Sequence, residues 1–187
     1  VTVRKNQDVV EVVRNATGTA IFTQLVADTN SLVIVGAAQT NFVTIDRNSG
    51  LALTGGVTVS AVPMLTITGT TGNDTFVLTP TKVILNGNEA LATNLANVAA
   101  LSLEGGVGDD TYKLPSSNIP VTIKDTQGNN SIDFTGATGG IKLNLSKNQG
   151  QSQTIAPWNK TLSIVGTIAN LIGTSYADEF TGGFAAT

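Results

Sequence analysis

Apolar residues in this chain come in short runs separated by Gly, Asn, Asp and Thr, and almost never at helical spacing. Runs at 32–35, 65–67, 76–78, 83–85, 101–103, 112–114, 121–123, 132–134, 141–145 and 162–165 are mostly three to five residues long. Many alternate apolar with polar residues, the period of two that marks a half-buried strand. Strands this short cannot each supply a sandwich face, but stacked in parallel they line a solenoid core. The best helical candidate is 89–100, where Leu91, Leu95 and Val98 are spaced four and three apart. Asn94 and Asn97 are poor helix formers, so a strand reading is equally open there.

Comparing the chain with itself exposes a repeat. Four segments align, beginning Leu65-Thr-Ile-Thr-Gly-Thr-Thr-Gly-Asn-Asp-Thr-Phe, Leu101-Ser-Leu-Glu-Gly-Gly-Val-Gly-Asp-Asp-Thr-Tyr, Val121-Thr-Ile-Lys-Asp-Thr-Gln-Gly-Asn-Asn-Ser-Ile and Asn170-Leu-Ile-Gly-Thr-Ser-Tyr-Ala-Asp-Glu-Phe. Two weaker copies lie upstream, at 6–12 and 32–45. The shared acidic or polar position falls at Asp8, Thr40, Asp74, Asp110, Asn130 and Asp178, with gaps of 32, 34, 36, 20 and 48. The last two gaps together span 68 residues, twice 34, which predicts a regular repeat of about 34 with one loop insertion at 149–160. Each unit reads as a strand, a Gly-rich corner and further strands around a common interior. Glycines 69, 72, 105, 106, 108 and 128 mark the corners, where positive φ carries no Cβ penalty. The predicted fold is all-β: a right-handed parallel β-helix, or related β-solenoid, of about five coils with three short strands each. Residues 1–187 form one such domain, with 1–30 its first and most divergent coil. The opening without Met and the tail just after a repeat begins lead us to expect a piece of a longer array.

Composition narrows the chemistry. Only 12% of the 187 residues are charged, against about 25% in an average globular protein. The net charge is -3 with no basic block, so a nucleic-acid footprint is missing. With no Cys and no His, cysteine nucleophiles, histidine triads and most zinc or copper sites cannot be assembled. No run approaches the roughly 18 apolar residues of a membrane span. The 28 Thr, 19 Val and 17 Asn are an all-β composition.

Gly105-Gly-Val-Gly-Asp-Asp-Thr-Tyr-Lys113 resembles, position for position, the G-G-x-G-x-D-x-U-x nonapeptide of RTX (haemolysin-type) calcium-binding repeats. Gly69–Val77 departs from it at Thr70. The third copy has Asp125 for the first Gly and Asn130 for the Asp; the fourth keeps Gly173, Asp178 and Phe180. The wider phrasing is similar to that of very large secreted bacterial surface proteins. The resemblance implies calcium held by Asp carboxylates and backbone carbonyls, hard oxygen ligands suited to that cation. Residue by residue it points to Asp74, Asp110, Asn130 and Asp178, with Asp109 beside them. The family pairs consecutive nonapeptides, whereas copies here are separate, so half the ligands must come from the coil above or below. Read without the resemblance, the same side chains cap turns through Asx hydrogen bonds.

Other constellations are thinner. Asp109 and Asp110 are adjacent carboxylates, as glycoside hydrolysis requires a pair, but a turn acid beside a capping acid explains them more simply. Trp158, in the polar insertion, is either an exposed ring for carbohydrate stacking or a cover over an open groove. Tyr112 occupies the apolar position of its nonapeptide and reads as core. The expected role is a non-catalytic extracellular or cell-surface structural or adhesion module, braced by calcium. Its partners would be neighbouring repeats of the parent chain and a polysaccharide or cell-surface component. A polysaccharide lyase or hydrolase and a carbohydrate-binding adhesin are the competing expectations.

Overall fold

The computed structural model describes residues 1–36, 42–147 and 149–182. Seventeen strands are found among them: β1 (Thr2–Asn6), β2 (Val9–Arg14), β3 (Thr19–Leu25), β4 (Leu32–Val35), β5 (Phe42–Asp46), β6 (Val57–Val62), β7 (Met64–Thr68), β8 (Thr75–Leu78), β9 (Lys82–Leu85), β10 (Asn88–Val98), β11 (Leu101–Glu104), β12 (Thr111–Lys113), β13 (Val121–Asp133), β14 (Lys142–Asn144), β15 (Gln153–Ile155), β16 (Lys160–Ile172) and β17 (Glu179–Thr181). The helical elements among these residues are two single 3-10 turns, Val26–Asp28 and Leu145–Lys147. The fold is all-β, and its sheet is mostly parallel with antiparallel strands mixed in. The helical alternative at 89–100 is strand β10, whose Leu95 lies beside Val59 of β6. Asn97 has a φ of 56°, which breaks any helix at that point.

The central feature is one parallel ladder, β1-β5-β7-β11-β13-β16, held in strict register. Val3, Ile45, Ile67, Leu103, Ile123 and Ile164 stack on its inner face and are at most 1% exposed. One residue earlier, the pleat turns Thr2, Thr44, Thr66, Ser102, Thr122 and Ser163 to the other face. Inner apolar and outer hydroxyl columns thus share one register, and a slip of one residue would exchange them. A second parallel ladder, β8-β12-β13-β16, places Phe76, Tyr112, Ile132 and Leu171 in a column. Phe76 and Tyr112 stack with centroids 5.2 Å apart and planes 6° from parallel. A third ladder joins β4, β6 and β10, and a separate pair joins β14 to β17.

The units are not equal. Successive members of the hydroxyl column are 42, 22, 36, 20 and 41 residues apart, so long and short units alternate. A regular repeat near 34 with one insertion is therefore corrected. The extra length in each long unit is folded into antiparallel excursions: β2-β3, β9 between β8 and β10, and β15 on β16. Tight turns make them, with Gln7 at φ 54°, and Asn86 and Gly87 at 55° and 65°. Residues 1–30 are accordingly a meander that enters the parallel ladder only through β1, with Asp8 exposed in its first turn. Thr40, the repeat position of the second copy, lies outside the described residues.

Among the described residues Arg47 is the largest fully buried side chain, and its guanidinium bonds to carbonyls and a hydroxyl, not to a carboxylate. Its guanidinium donates to the carbonyls of Leu51 (2.7 Å) and Ala92 (3.1 Å) and to Thr93 Oγ1 (3.1 Å), tying the 47–56 segment to β10. Burial lowers its pKa to about 10, so it stays charged at neutral pH.

The inner column carries the stability. Leu103→Ala is expected to cost about 2–5 kcal/mol, because a cavity is left between fixed neighbours. Thr66→Ala on the outer face should stay within about 0.5 kcal/mol. Urea denaturation curves of the two variants check the contrast.

Candidate functional site

The corners at 69–74, 105–110 and 125–130 lie between the first and second parallel ladders, so in-register strands on both sides stack one corner on the next. Two side-chain columns join them. In the inner one, the Asp74 backbone N–H donates to Asp110 Oδ1 (2.7 Å), and the Asp110 N–H donates to Asn130 Oδ1 (2.9 Å). In the outer one the direction reverses: Asp109 N–H donates to Asn73 Oδ1 (2.9 Å), and Asn129 N–H to Asp109 Oδ1 (2.7 Å). Each corner is thereby tied to its neighbour by two side-chain bonds of opposite sense, replacing the strand ladder where the chain turns.

Asp74, Asp110 and Asn130 come together as expected and are at most 1% exposed. Asp109 is exposed, so the adjacent carboxylates of 109 and 110 point to opposite sides and form no catalytic pair. Asp178 does not join them. Asp125 of β13 lies beside Gly166 of β16, and Asn130 beside Ile168, so the fourth corner of this column begins at Gly166 and not at Gly173. The 173–181 motif instead stacks on 140–144, where Ile141 N–H donates to Asp178 Oδ1 (2.8 Å). That bond and one from the Thr174 N–H hold the Asp178 carboxyl below the ordinary carboxylate range.

The glycines of the corners serve different ends. Gly106, Gly108 and Gly128 have φ of 103°, 123° and 81°, as expected of corner residues. Gly69 and Gly105 do not need positive φ; they need to lack a side chain. A Cβ at Gly69 would strike Gly105 O and Asp74 Oδ2, and a Cβ at Gly105 would strike Asp110 Oδ2, Asp125 Oδ2 and the Tyr112 hydroxyl. At Gly72 a Cβ would meet nothing.

Asp125 is a residue that the repeat comparison passed over as a degenerate glycine. It is 2% exposed, and its Oδ2 accepts the Tyr112 hydroxyl at 2.7 Å. The first copy has Phe76 and needs no such acceptor; the second has Tyr112, and the third supplies Asp125 against it. The hydroxyl that distinguishes Tyr112 from Phe76 and the carboxyl at position 125 are one compensated pair. Burial and the neighbouring Asp125 carboxylate raise the Tyr112 pKa, which keeps its proton on the hydroxyl.

Asp74 and Asp178 offer no free carboxylate oxygen to a calcium ion. Asp74 is surrounded by donors: Thr70 N–H to Oδ2 (2.6 Å), Asn86 Nδ2 to Oδ1 (2.7 Å), and the Thr70 hydroxyl at 3.1 Å. Asp178 is enclosed in the same way by Thr174 and Ile141. A cation would face those hydrogens, whereas calcium takes six to eight oxygen ligands. Among the described residues there is no group of three or more acids placed to hold a metal.

Trp158 is not an exposed ring. It is 8% exposed and lies 5.8 Å from Phe134, centroid to centroid, with the planes tilted by 46°. The 149–160 insertion does not bulge out: β15 pairs antiparallel with β16, and Ile155 is fully buried. It covers the interior beside Phe134. No known protein family, curated protein or solved structure matches the chain.

Gly105→Ala is expected to destabilise the fold by about 3 kcal/mol or more, since it drives a methyl into buried oxygens. Gly72→Ala should be neutral or slightly stabilising. Thermal melts of both variants distinguish contact-driven from conformational need for glycine.

Proposed function

We propose that the chain is a non-catalytic structural module of a secreted or cell-surface protein, coiled as a right-handed parallel β-helix. The observation that carries this reading is the pair of opposed hydrogen-bond columns, which spend the corner side chains on holding one unit to the next. Corners that serve catalysis or recognition usually leave polar side chains free to meet a ligand. Parallel strands joined through long connections favour the right-handed crossover. Such a stack leaves unpaired strand edges at its ends, which suits neighbouring repeats of a parent chain as partners.

A groove of about 370 Å3 runs beside the corners, between Thr44, Asp46, Thr68, Glu104 and Val107. None of its described lining residues is aromatic, so it has no platform on which a sugar ring would stack. Glu104 is already engaged with Lys124 at 3.3 Å. A scaffold therefore accounts for this surface better than a polysaccharide site does.

Native-state hydrogen exchange tests the reading. The amides of Asp74, Asp109, Asp110 and Asn129 are expected to be protected as strongly as those of the strands, because each is bonded across units. Exchange at free-loop rates, or cleavage of neutral or acidic polysaccharides by the purified chain, would overturn it.

A further inference from the structure

The main strand path begins at β3 and ends at β4, and a groove of about 420 Å3 lies between these two strands. Its described lining is apolar throughout, with no charged or hydroxyl side chain among residues such as Val12, Phe22, Ile34 and Val43. The ammonium of Val1, which also lines it, donates to the Phe42 carbonyl at 2.7 Å. Ile21, Phe22, Val33 and Val35 are 53%, 39%, 62% and 72% exposed along it. Strand β4 pairs with β6 in unbroken parallel register, and among the described residues nothing pairs with its other edge. That edge carries none of the usual blocks, since Leu32-Val-Ile-Val35 holds no charge, no proline and no bulge. We infer that β4 is an association edge: two copies of this chain pair through it, antiparallel about a two-fold axis, and close the groove between them.

A preceding coil of a longer array is a poorer occupant at this end. To stack in register it would need the outer edge of β1, and that edge is already taken by β2 in antiparallel pairing. The inference thus goes beyond the scaffold reading and concerns the end at which the first ladder is capped. A charged or sugar partner would find no polar side chain in the groove, whereas a second copy brings an equally uncharged surface. The backbone selects the register. Leu32 and Gly36 turn their N–H groups to β6, donating to Gly56 O (3.2 Å) and Ser60 O (2.9 Å), so Val33 and Val35 turn theirs to the open edge. With Ile34 opposite Ile34 of the second copy, each Val33 faces the other copy's Val35, and the two exchange N–H···O=C bonds in both directions. This register also keeps inner side chains on the inner face. Half of four large apolar side chains, the remainder of Leu32 and Ile34, and the strand edge come to roughly 500 Å2 per copy and about 1,000 Å2 in all. That is the least area that sustains a specific interface, so the pairing is reversible at micromolar concentrations.

Sedimentation velocity of the full chain from about 1 to 500 µM should show monomer passing to dimer, with no larger species. Amide exchange at Val33 and Val35 should slow as the concentration rises, while the amides of β6 keep one rate. Val33→Lys and Val35→Lys, at exposed positions, should each weaken the dimer at least about tenfold and leave the melting temperature within about 2 °C of the parent. Val107→Lys, equally exposed but in the 105–110 corner, should leave the dimer unchanged. A monomer at every concentration overturns the inference. So does a series of ever larger species, the mark of head-to-tail stacking, or a dimer that both lysine variants at β4 leave intact.

Discussion

Everything in this molecule depends on keeping one strand spacing through the corners. A parallel ladder satisfies its own backbone only while the chain runs straight; where it turns, N–H groups lose their partners and are costly to bury. The Asx columns solve this by lending side-chain oxygens to the neighbouring unit's amides at Asp74, Asp109, Asp110 and Asn129. That contact requires the backbones to come within side-chain reach, which in turn removes Cβ atoms at 69 and 105. Acids placed here, such as Asp74 and Asp178, are met by hydrogen-bond donors and not by lysines or arginines.

Alternation of long and short units shows how freely the remainder can vary. The short units of 20 and 22 residues reach the next ladder position without an antiparallel hairpin, while the long ones detour through hairpins. These detours add apolar cover where the parallel strands are too short to enclose the interior: β9 buries Val83 and Leu85, and the 149–160 segment buries Ile155 and Trp158. Arg47 adds hydrogen bonds from within, donating to the Leu51 carbonyl of the irregular 47–56 segment and to the Ala92 carbonyl of β10.

Strand positions were readable because a period of two exposes them: Leu65, Ile67, Leu101, Leu103, Val121 and Ile123 all fall on the inner face as the alternation requires. The clustering of Asp74, Asp110 and Asn130 was readable for the same reason, since equal offsets from equal strands must stack. Unit length was not, because spacing between motifs cannot distinguish an insertion from an alternation. Asp178 misled because its motif keeps the same letters beside a different strand pair, that of β14 and β17. Trp158 was ambiguous for want of any periodicity in a polar loop. Asp125 carried a usable signal: it replaces a glycine in the copy next to the one whose apolar position holds a hydroxyl, and a buried hydroxyl needs an acceptor.

The Tyr112–Asp125 bond gives these otherwise similar units an order. A hydroxyl that finds its acceptor in one neighbour and nowhere else makes the second unit a poor substitute for the first, whose Phe76 asks for nothing. Repetitive chains are prone to pairing with the wrong copy of themselves, and a mispaired third unit would bury both an unanswered phenol and an unanswered carboxyl. The imperfections of the repeat are thus a form of address, written in the places where the copies disagree.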